Sequence, residues 1–260
     1  MRSFPKISIV IPSLNKAEFV GKTLQSIVDQ DYPNLEVIVR DGGSNDGTVE
    51  IIKKFASKYP DVFFWEIVNN EGQLGAINQG LEKSSGDILT FINADDVYRK
   101  GALIVVGEYF AKHPGTPWVA GKGETIDENG KKIANFVDSY KNFLLPINNY
   151  SLLLVVNYLI QPSVFLSRQA YEKYGRFTGT STSIMEYDLW LKIGKIQMPS
   201  IINKKLSSFR ISGGSISASA FKITLQSDKR IVSKYTTNPL TLTLHYFHNL
   251  ARVIIIKFLL

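Results

Sequence analysis

Short apolar runs alternate with segments of helical periodicity through about the first 115 residues. Four runs, at residues 6–11, 35–39, 62–68 and 87–92, predict buried strands, the first of them closed by Pro12. Apolar residues between these runs recur every three or four positions, which predicts intervening helices. Strands that alternate with helices are typical of βαβ units. The pattern therefore predicts an α/β fold with a Rossmann-like, mostly parallel sheet flanked by helices.

The pattern is less regular after residue 115. Asn129-Gly130 predicts a hairpin turn between strands at residues 124–127 and 131–133. A further strand is expected near residues 163–166, and helices near residues 186–196 and 220–235. In the first half, Thr48 is expected to cap the helix that follows the second strand.

The last 21 residues, 240–260, are apolar but interrupted by polar groups such as His245, Asn249 and Arg252. A helix that spans a bilayer needs about 20 mostly apolar residues, so this segment is a poor candidate. Two interpretations remain open. The segment is an amphipathic helix at a membrane interface, or it packs on its own domain.

Composition excludes several kinds of chemistry. The chain has 260 residues, no cysteine and three histidines. Disulfides, thiolate zinc sites and cysteine nucleophiles are therefore excluded, and a reducing, cytoplasmic location is expected. The N-terminus lacks the long apolar stretch of a signal peptide.

The net charge of +7 is unevenly distributed. Residues 1–130 hold 13 Lys and Arg against 18 Asp and Glu, whereas residues 131–260 hold 17 against 5. The basic half could face nucleic acid, an anionic membrane or a phosphorylated ligand, or it could be a solvated lysine surface.

Candidate chemistry lies where the predicted strands end, because ligands of open parallel sheets bind beyond those ends. The first strand is followed by Ser13-Leu14-Asn15, the second by Asp41, and the fourth by Asn93-Ala94-Asp95-Asp96. Two adjacent carboxylates suit a hard cation such as Mg²⁺ or Mn²⁺ that bridges to substrate phosphates, although Asp pairs also fill turns. The first strand is not followed by the glycine pattern of dinucleotide-binding enzymes, and no P-loop occurs.

Several motifs in order resemble those of the family 2 glycosyltransferases, which have the GT-A fold. They are Ser8-Ile9-Val10-Ile11-Pro12-Ser13-Leu14-Asn15, Gln30-Asp31-Tyr32-Pro33, Arg40-Asp41-Gly42-Gly43-Ser44, Glu71-Gly72-Gln73, Ala76-Ile77-Asn78-Gln79-Gly80 and Asn93-Ala94-Asp95-Asp96. The resemblance is strong over residues 5–115 and weaker over residues 155–216. It implies transfer of a sugar from a nucleotide sugar by a single displacement with inversion, with a UDP-sugar as the commonest donor.

The resemblance also implies roles for particular residues. Pro12, Ser13, Leu14, Asn15 and Glu18 would shape the nucleoside pocket, and Asp41 would bind the base. Gln73, Asn78, Asn93, Ala94 and Asp95 would complete the nucleotide-sugar site. Asp95 and Asp96 would hold the ribose, the diphosphate and Mg²⁺ or Mn²⁺. Family members often have Asp at the position of Asn93, whose amide still offers a carbonyl oxygen.

On the acceptor side, Glu186-Tyr187-Asp188-Leu189-Trp190 resembles the family segment that carries the catalytic base. Glu186 stands where Asp is usual, and Asp188 is the second candidate. Gln161 and Arg210 resemble positions that contact the acceptor or the diphosphate, and Trp190 would stack on a sugar unless it packs in the core.

These roles imply three parts of the chain: a nucleotide-sugar-binding half at residues 1–115, an acceptor-binding and base-carrying half at residues 116–218, and a helical tail at residues 219–260. The uneven charge then corresponds to an acidic donor half and a basic acceptor half, and nucleic acid is not expected as a partner. A glycan or polyprenyl-phosphate-linked acceptor and an anionic membrane surface would suit the basic half, and bacterial surface-polysaccharide assembly is the expected setting.

Two other functions stay open. A nucleotidyltransferase would also use acidic residues and a cation, but it should carry a glycine-rich basic loop after the first strand, where Pro12-Ser13-Leu14-Asn15 stands. A catalytically inactive sugar- or nucleotide-binding module would tolerate Asn93 and Glu186 in place of Asp.

Overall fold

The computed structural model describes residues 4–69, 71–133, 135–179, 185–211 and 221–259. The first half forms four strands joined by three helices: β1 (Ile7–Ser13), α1 (Ala17–Val28), β2 (Leu35–Asp41), α2 (Thr48–Lys58), β3 (Phe63–Ile67), α3 (Gly72–Lys83) and β4 (Ile88–Phe91). β1 pairs in parallel with β2 on one side and with β4 on the other, and β2 pairs in parallel with β3. The four strands predicted from the apolar runs are therefore present.

The second half mixes strand directions. Its elements are β5 (Val97–Tyr98), α4 (Ala102–Lys112), β6 (Trp118–Ile126), β7 (Lys132–Ile133), α5 (Asn135–Leu144), α6 (Tyr150–Val155), β8 (Val164–Ser167), α7 (Arg168–Tyr174), α8 (Met185–Gly194), β9 (Ser200–Arg210), α9 (Phe221–Val232) and α10 (Pro239–Leu259). Two 3-10 turns lie at Leu145–Ile147 and Gln161–Ser163. β6 and β7 form the predicted hairpin, in which Thr125 pairs with Ile133 and Gly130 has a φ of 81°.

One sheet runs through both halves. Its strand order is β3-β2-β1-β4-β8-β6-β9-β5, with β7 added beside β6. β8 pairs antiparallel with β4 and with β6, whereas β9 runs parallel to β6. The predicted α/β class, with a mostly parallel donor-side sheet, is confirmed.

Alternation along the strands fills a core on each face of the sheet. Ile9 and Ile11 of β1 pack on the side of α1, α2 and α4, whereas Val10 packs on the side of α3, α6 and α8. The sheet is thereby fixed from both sides, and only its ends and edges are open for a site.

Two local predictions were wrong. β1 does not end before Pro12 but continues to Ser13. The backbone of Pro12 faces β4, as does that of Val10, whose carbonyl accepts from the N–H of Ile92. Because Pro12 lies beyond the end of β4, the N–H that proline lacks would have had no partner strand, and no sheet bond is lost. Thr48 is the first residue of α2, and Gly47 caps the helix in a left-handed conformation with a φ of 96°.

α10 is a continuous helix over the segment whose location was left open. His245 and Asn249 are buried against the domain, and His245 Nδ1 lies 3.1 Å from the carbonyl oxygen of Val155 at the end of α6. One face of the helix therefore packs on the chain. Among the described residues, no helix has both the length and the apolar character needed to cross a membrane.

Candidate active site

The carboxyl ends of β1 and β2 carry two loops that bind each other. The backbone N–H of Asn15 donates to Ser44 Oγ at 2.8 Å, and Asn15 Oδ1 accepts from the N–H of Asn45 at 3.1 Å. Asn15 has a φ of 50°, a left-handed conformation that asparagine tolerates better than most residues. The two loops thus form one wall.

Asp41 braces the second of these loops. Its side chain is fully buried, and Oδ1 accepts from the N–H groups of Gly43 and Ser44 at 3.0 and 2.7 Å. Ser44 Oγ donates to Oδ2 at 2.7 Å. The predicted base-binding acid therefore also holds the shape of its own turn.

The first loop presents groups of different character. Pro12 and Ser13 are buried, and Ser13 Oγ has no hydrogen-bond partner among the described residues. Leu14 is 55% exposed, and Glu18 is exposed on the first turn of α1. A buried hydroxyl without a partner is costly, so Ser13 marks a position where a ligand atom would be favourable.

Asp95 and Asp96 lie just beyond β4, and both are buried. The N–H of Arg210 donates to Asp96 Oδ1 at 2.7 Å, and Asn93 Nδ2 donates weakly to Oδ2 at 3.3 Å. Burial, and then the adjacent Asp95 carboxylate, raise the pKa of Asp96 well above its ordinary value. Burial therefore disfavours the charged form of Asp96, and a cation beside it would favour that form.

Lys16 already supplies one cation. Its Nζ lies 2.6 Å from Asp95 Oδ2, and its side chain is one-quarter exposed. Nothing in the sequence indicates this contact, because a lysine next to the start of a helix gives no signal of its distance from residue 95. Lys16 is placed to face any anion that reaches Asp95.

Arg210 ends β9 and is buried behind the acidic pair. Its Nε donates to the carbonyl oxygen of Asp95 at 2.7 Å, and one Nη donates to the carbonyls of Asp127 and Glu128 at 2.7 and 3.0 Å. The guanidinium also lies over the ring of Phe19, 5.0 Å from its centroid. With these bonds made and 3% of the residue exposed, Arg210 fixes the acidic loop in place.

The other residues predicted to bind the nucleotide sugar lie in two places, beside the acidic loop and at Phe177. Gln73, in the first turn of α3, donates through Nε2 to Asn93 Oδ1 at 2.7 Å, and Ala94 is buried beside Asn93. Asn78, one turn further along α3, instead clasps the backbone of Phe177: its amide donates to the carbonyl at 2.9 Å and accepts from the N–H at 3.0 Å. Gln73 and Asn93 thus border the acidic loop, whereas Asn78 ties α3 to the segment before α8.

A divalent cation fits the acidic loop by its donor chemistry. Asp95 and Asp96 are two carboxylates, one of which already holds an ammonium group. No cluster of three or more acidic or histidine ligands occurs within the described part of the chain. Mg²⁺ is commonly held by one or two carboxylates together with substrate phosphates and water, so the two acids suffice when a diphosphate is bound.

Glu186 lies in a different environment, at the start of α8. Burial raises the pKa of its carboxyl to about 7, while the charges of Lys141 and Arg252 lower it and that of Asp228 raises it. These groups come from α5, α10 and α9. Asp228 itself accepts from Arg252 Nη2 at 2.6 Å. Glu186 is therefore a half-buried carboxyl poised to exchange a proton near neutral pH.

Hydrogen bonds connect this cluster to the donor edge. Asp138, one turn before Lys141 on α5, accepts from the N–H and hydroxyl of Thr125 at 2.8 and 2.6 Å. Thr125 precedes Ile126, which pairs with Arg210 across β6 and β9. α5 is thus anchored to the same strand pair that holds the acidic loop.

Asp188, the second candidate base, is occupied by structural bonds. Thr178 Oγ1 and Tyr235 OH donate to its two carboxylate oxygens at 2.6 and 3.0 Å, and Lys234 Nζ lies 3.2 Å away. Asp188 thereby joins α8 to Thr178, which precedes that helix, and to Lys234 and Tyr235, which follow α9. Because these contacts already engage both carboxylate oxygens of Asp188, Glu186 is the better candidate for the base.

Of the residues predicted on the acceptor side, Gln161 lies near the acidic loop and Trp190 lies in the core. Gln161 Nε2 donates to the carbonyl of Phe91 at 2.7 Å, which places it at the end of β4 beside the acidic loop. Trp190 is 2% exposed and stacks on Trp118, with ring centroids 5.5 Å apart. Trp190 therefore packs in the core, because a ring with so little exposed surface has none to offer a sugar. Residues 212–220, which follow Arg210 and Ile211, lie outside the described residues.

Comparison with known proteins identifies the family. Residues 8–175 match the profile described as Glycosyl transferase family 2. The chain belongs to this family. The match takes in the acidic loop and both loops at the ends of β1 and β2, whereas Glu186 lies beyond it.

Curated relatives of the family are similar over part of their length. Glycosyltransferase AglE of Haloferax volcanii is 31% identical over 171 residues, which cover 62% of this chain and 54% of that protein. The GalNAc(5)-diNAcBac-PP-undecaprenol beta-1,3-glucosyltransferase of Campylobacter jejuni is 33% identical over 100 residues, which cover 38% and 32%. The chain thus spans about half or less of the length of these relatives.

Solved structures of glycosyltransferases share the fold. The mannosyltransferase PcManGT from Pyrobaculum calidifontis, in complex with GDP-Man and Mn²⁺, aligns over 96% of this chain and 70% of its own with a TM-score of 0.69. S. aureus TarS, in complex with UDP-GlcNAc, aligns over 94% and 71% with a TM-score of 0.65. At 18% and 17% identity these likenesses concern the fold, and the predicted GT-A fold is confirmed.

Proposed function

We propose that this family 2 glycosyltransferase transfers a sugar from a UDP-sugar to the hydroxyl group of a glycan or lipid-linked acceptor, with inversion at the anomeric carbon. The observation that carries the proposal is the acidic loop after β4, where two buried carboxylates and Lys16 meet at the carboxyl edge of the sheet. Such an edge is where open α/β sheets bind nucleotides.

In this proposal the paired loops after β1 and β2 hold the nucleoside. The base lies against the wall of Ser13, Leu14 and Asn15, with the buried Asp41 and the unpartnered hydroxyl of Ser13 inside that wall. Glu18, exposed at the start of α1, faces the rim of the same pocket. Gln73 and Asn93 border the sugar and diphosphate.

Asp95 and Asp96 are the residues that would hold Mg²⁺ or Mn²⁺. A bound divalent cation supplies positive charge that stabilises the diphosphate leaving group. Lys16, 2.6 Å from Asp95, contributes a second positive charge on the same side. Arg210 holds the two acids in place rather than binding the substrate: its backbone N–H donates to Asp96 Oδ1, and its Nε donates to the backbone carbonyl of Asp95.

Glu186 acts as the general base. Its carboxylate removes the proton of the acceptor hydroxyl, the resulting oxygen bonds to the anomeric carbon, and the bond from that carbon to the diphosphate oxygen breaks. The electron pair leaves with the nucleoside diphosphate, and the proton stays on Glu186. A base whose pKa lies near 7 is matched to this task at neutral pH.

The finer assignments follow from relatives and from charge. We place the acceptor in the class of lipid-linked glycans, because the Campylobacter relative is named for an undecaprenol-linked substrate and residues 190–260 hold 11 Lys and Arg against one acid. We place the sugar in the class of hexoses or N-acetylhexosamines.

The proposed setting is surface-polysaccharide assembly on the cytoplasmic face of the membrane. Residues 1–115 form the donor half, residues 116–218 the acceptor half, and residues 219–260 the tail.

The test is a panel of UDP- and GDP-sugars, with and without Mn²⁺, scored for released nucleoside diphosphate in the presence of lipid-linked acceptors. We expect turnover with a UDP-sugar, its loss in Glu186→Gln, and retained UDP binding in that variant. Asp188→Asn is the matched control from the same helix. No turnover with any donor, together with no binding of any nucleoside diphosphate, would refute the proposal.

A further inference from the structure

α5 has its polar face inward and its apolar face outward. Asp138 and Asn142 point to β6, where they bind Thr125 and Gly123. On the opposite side, Phe136 is 75% exposed and Phe143 is 73% exposed. Tyr140 lies between them on the helix, Ile147 follows in the 3-10 turn after α5, and both are exposed. A helix of a monomeric soluble domain has the reverse arrangement.

α10 repeats this inversion. Its inner face carries His245, Asn249 and Arg252, the last bound to Asp228 of α9. Its outer face carries Leu240, Leu244 and Phe247, which are 66%, 48% and 59% exposed and again lie at helical spacing. Apolar side chains therefore cover the outside of a helix whose inside is polar.

The two outward stripes are neighbours. The ring of Tyr140 on α5 stacks on that of His248 on α10, with centroids 6.0 Å apart. We call the combined surface the outer apolar face; its members are Phe136, Tyr140, Phe143, Ile147, Leu240, Leu244 and Phe247. A contiguous exposed surface of this kind marks an interaction site.

Most exposed charges near the outer apolar face are positive, although Glu128 is an exposed acid in the hairpin turn before Lys131. Lys131 and Lys132 are exposed immediately before α5, and Lys229 and Arg230 are exposed on α9. The acidic groups of these helices are buried: Asp138 on Thr125, and Asp228 on Arg252. Exposed large apolar side chains bordered by cations are the composition of a surface that binds an anionic lipid interface.

We propose that the outer apolar face docks on an anionic lipid leaflet, with Phe136, Phe143 and Phe247 inserted at the level of the headgroups. A second copy of the chain fits less well, because pairing this face with itself would bring the cations of both copies together. The inference rests on the proposed function in one respect: docking would present a lipid-linked acceptor to Glu186, whose neighbours belong to α5, α9 and α10.

The experiment measures binding of the full chain to vesicles of phosphatidylcholine alone and of phosphatidylcholine with phosphatidylglycerol. We expect binding to the anionic vesicles, and a loss of about tenfold or more in the double variant Phe136→Ser with Phe143→Ser. Phe64→Ser is the matched control, since Phe64 is an exposed phenylalanine, at 50%, that lies on β3 at the far edge of the sheet. The control should bind as the wild type does.

A charge variant tests the second part of the surface. The double variant Lys131→Glu with Lys132→Glu should weaken binding to anionic vesicles and reduce the salt dependence of that binding. The control is Lys53→Glu with Lys54→Glu, two consecutive lysines on α2, which should have a smaller effect. Salt at about 1 M, where the Debye length is about 3 Å, should weaken wild-type binding.

Three results would overturn the docking proposal: no vesicle binding by the wild type, equal binding by the Phe136/Phe143 and Phe64 variants, or loss of a solution dimer in the Phe136/Phe143 variant without loss of vesicle binding. UDP binding, measured on the same preparations, separates this inference from the proposed function. Failure of vesicle binding with UDP binding intact refutes the docking alone. Vesicle binding without turnover of any donor and without binding of any nucleoside diphosphate refutes the transferase proposal.

Discussion

Replacing Asp228 with asparagine should shift the acid limb of the pH–rate profile to lower pH. The Asp228 carboxylate raises the pKa of Glu186, whereas Arg252, which Asp228 binds at 2.6 Å, lowers it. Asp228→Asn removes the charge that raises the pKa of Glu186. It also leaves the charge of Arg252 without its partner, so that Arg252 lowers the pKa of Glu186 further. Lys141→Met should have the opposite effect, because the Lys141 ammonium lowers the pKa of Glu186.

The expected size follows from the pKa of about 7. A general base must be ionised, so activity is lost as the pH falls through the pKa; at pH 6 about one Glu186 in eleven is ionised. A decrease of about one pKa unit, or about 1.4 kcal/mol, would raise that fraction to about one half. The Asp228→Asn variant should then be about fivefold faster than the wild type at pH 6 and less than twofold faster at pH 7.

The assay is the initial rate of nucleoside diphosphate release between about pH 5 and pH 9 at subsaturating donor and acceptor, which reports the free enzyme. Thermal unfolding of each variant checks that it is folded. Asp188→Asn is the control, because that carboxylate is bound by Thr178 and Tyr235 and should leave the midpoint unchanged. Midpoints of Asp228→Asn and Lys141→Met that coincide with the wild type would refute the assignment of the acid limb to Glu186.

Three further predictions concern the donor side and the core. Asp95→Asn and Asp96→Asn should each weaken Mn²⁺-dependent UDP binding about tenfold or more, measured by calorimetry; equal binding would remove these acids from the site. Arg210→Met should lower the free energy of unfolding by about 3 kcal/mol in urea titrations, since it leaves buried carbonyls without a donor; an unchanged midpoint would contradict its anchoring role. Gly80→Ala should cost about 1–3 kcal/mol, because a Cβ would lie 2.6 Å from a β1 side chain. Gly21→Ala, with 3.6 Å to its nearest neighbour, should be neutral or stabilising.

The donor edge could be predicted from sequence because it depends on local signals. A buried run followed by a polar turn indicates where a parallel strand ends, and three such ends meet by topology alone. Asp41 and Asp95 were placed at the sheet edge in this way, and the Asn129-Gly130 turn fixed the hairpin. These features need no knowledge of distant contacts.

The rest depends on contacts between residues far apart in the chain. Lys16 meets Asp95 across 79 residues, and no periodicity records that pairing. Asp188 and Glu186 are two positions apart on one helix, yet Thr178 and Tyr235 engage only the former. The stripe of α5 shows that one face of a helix is apolar, but not which neighbour covers it.

The two hydrogen bonds from Arg210 to Asp95 and Asp96 have a consequence for the order in which the chain is synthesised and folds. They bring together residues 114 and 115 positions apart, so the acidic loop is not anchored until β9 has been synthesised. At about 10 residues per second, the donor half waits about 10 s on the ribosome before its carboxylates are fixed. The nascent chain therefore carries an unfinished nucleotide site until most of its acceptor side has emerged, which links the onset of donor binding to completion of the domain.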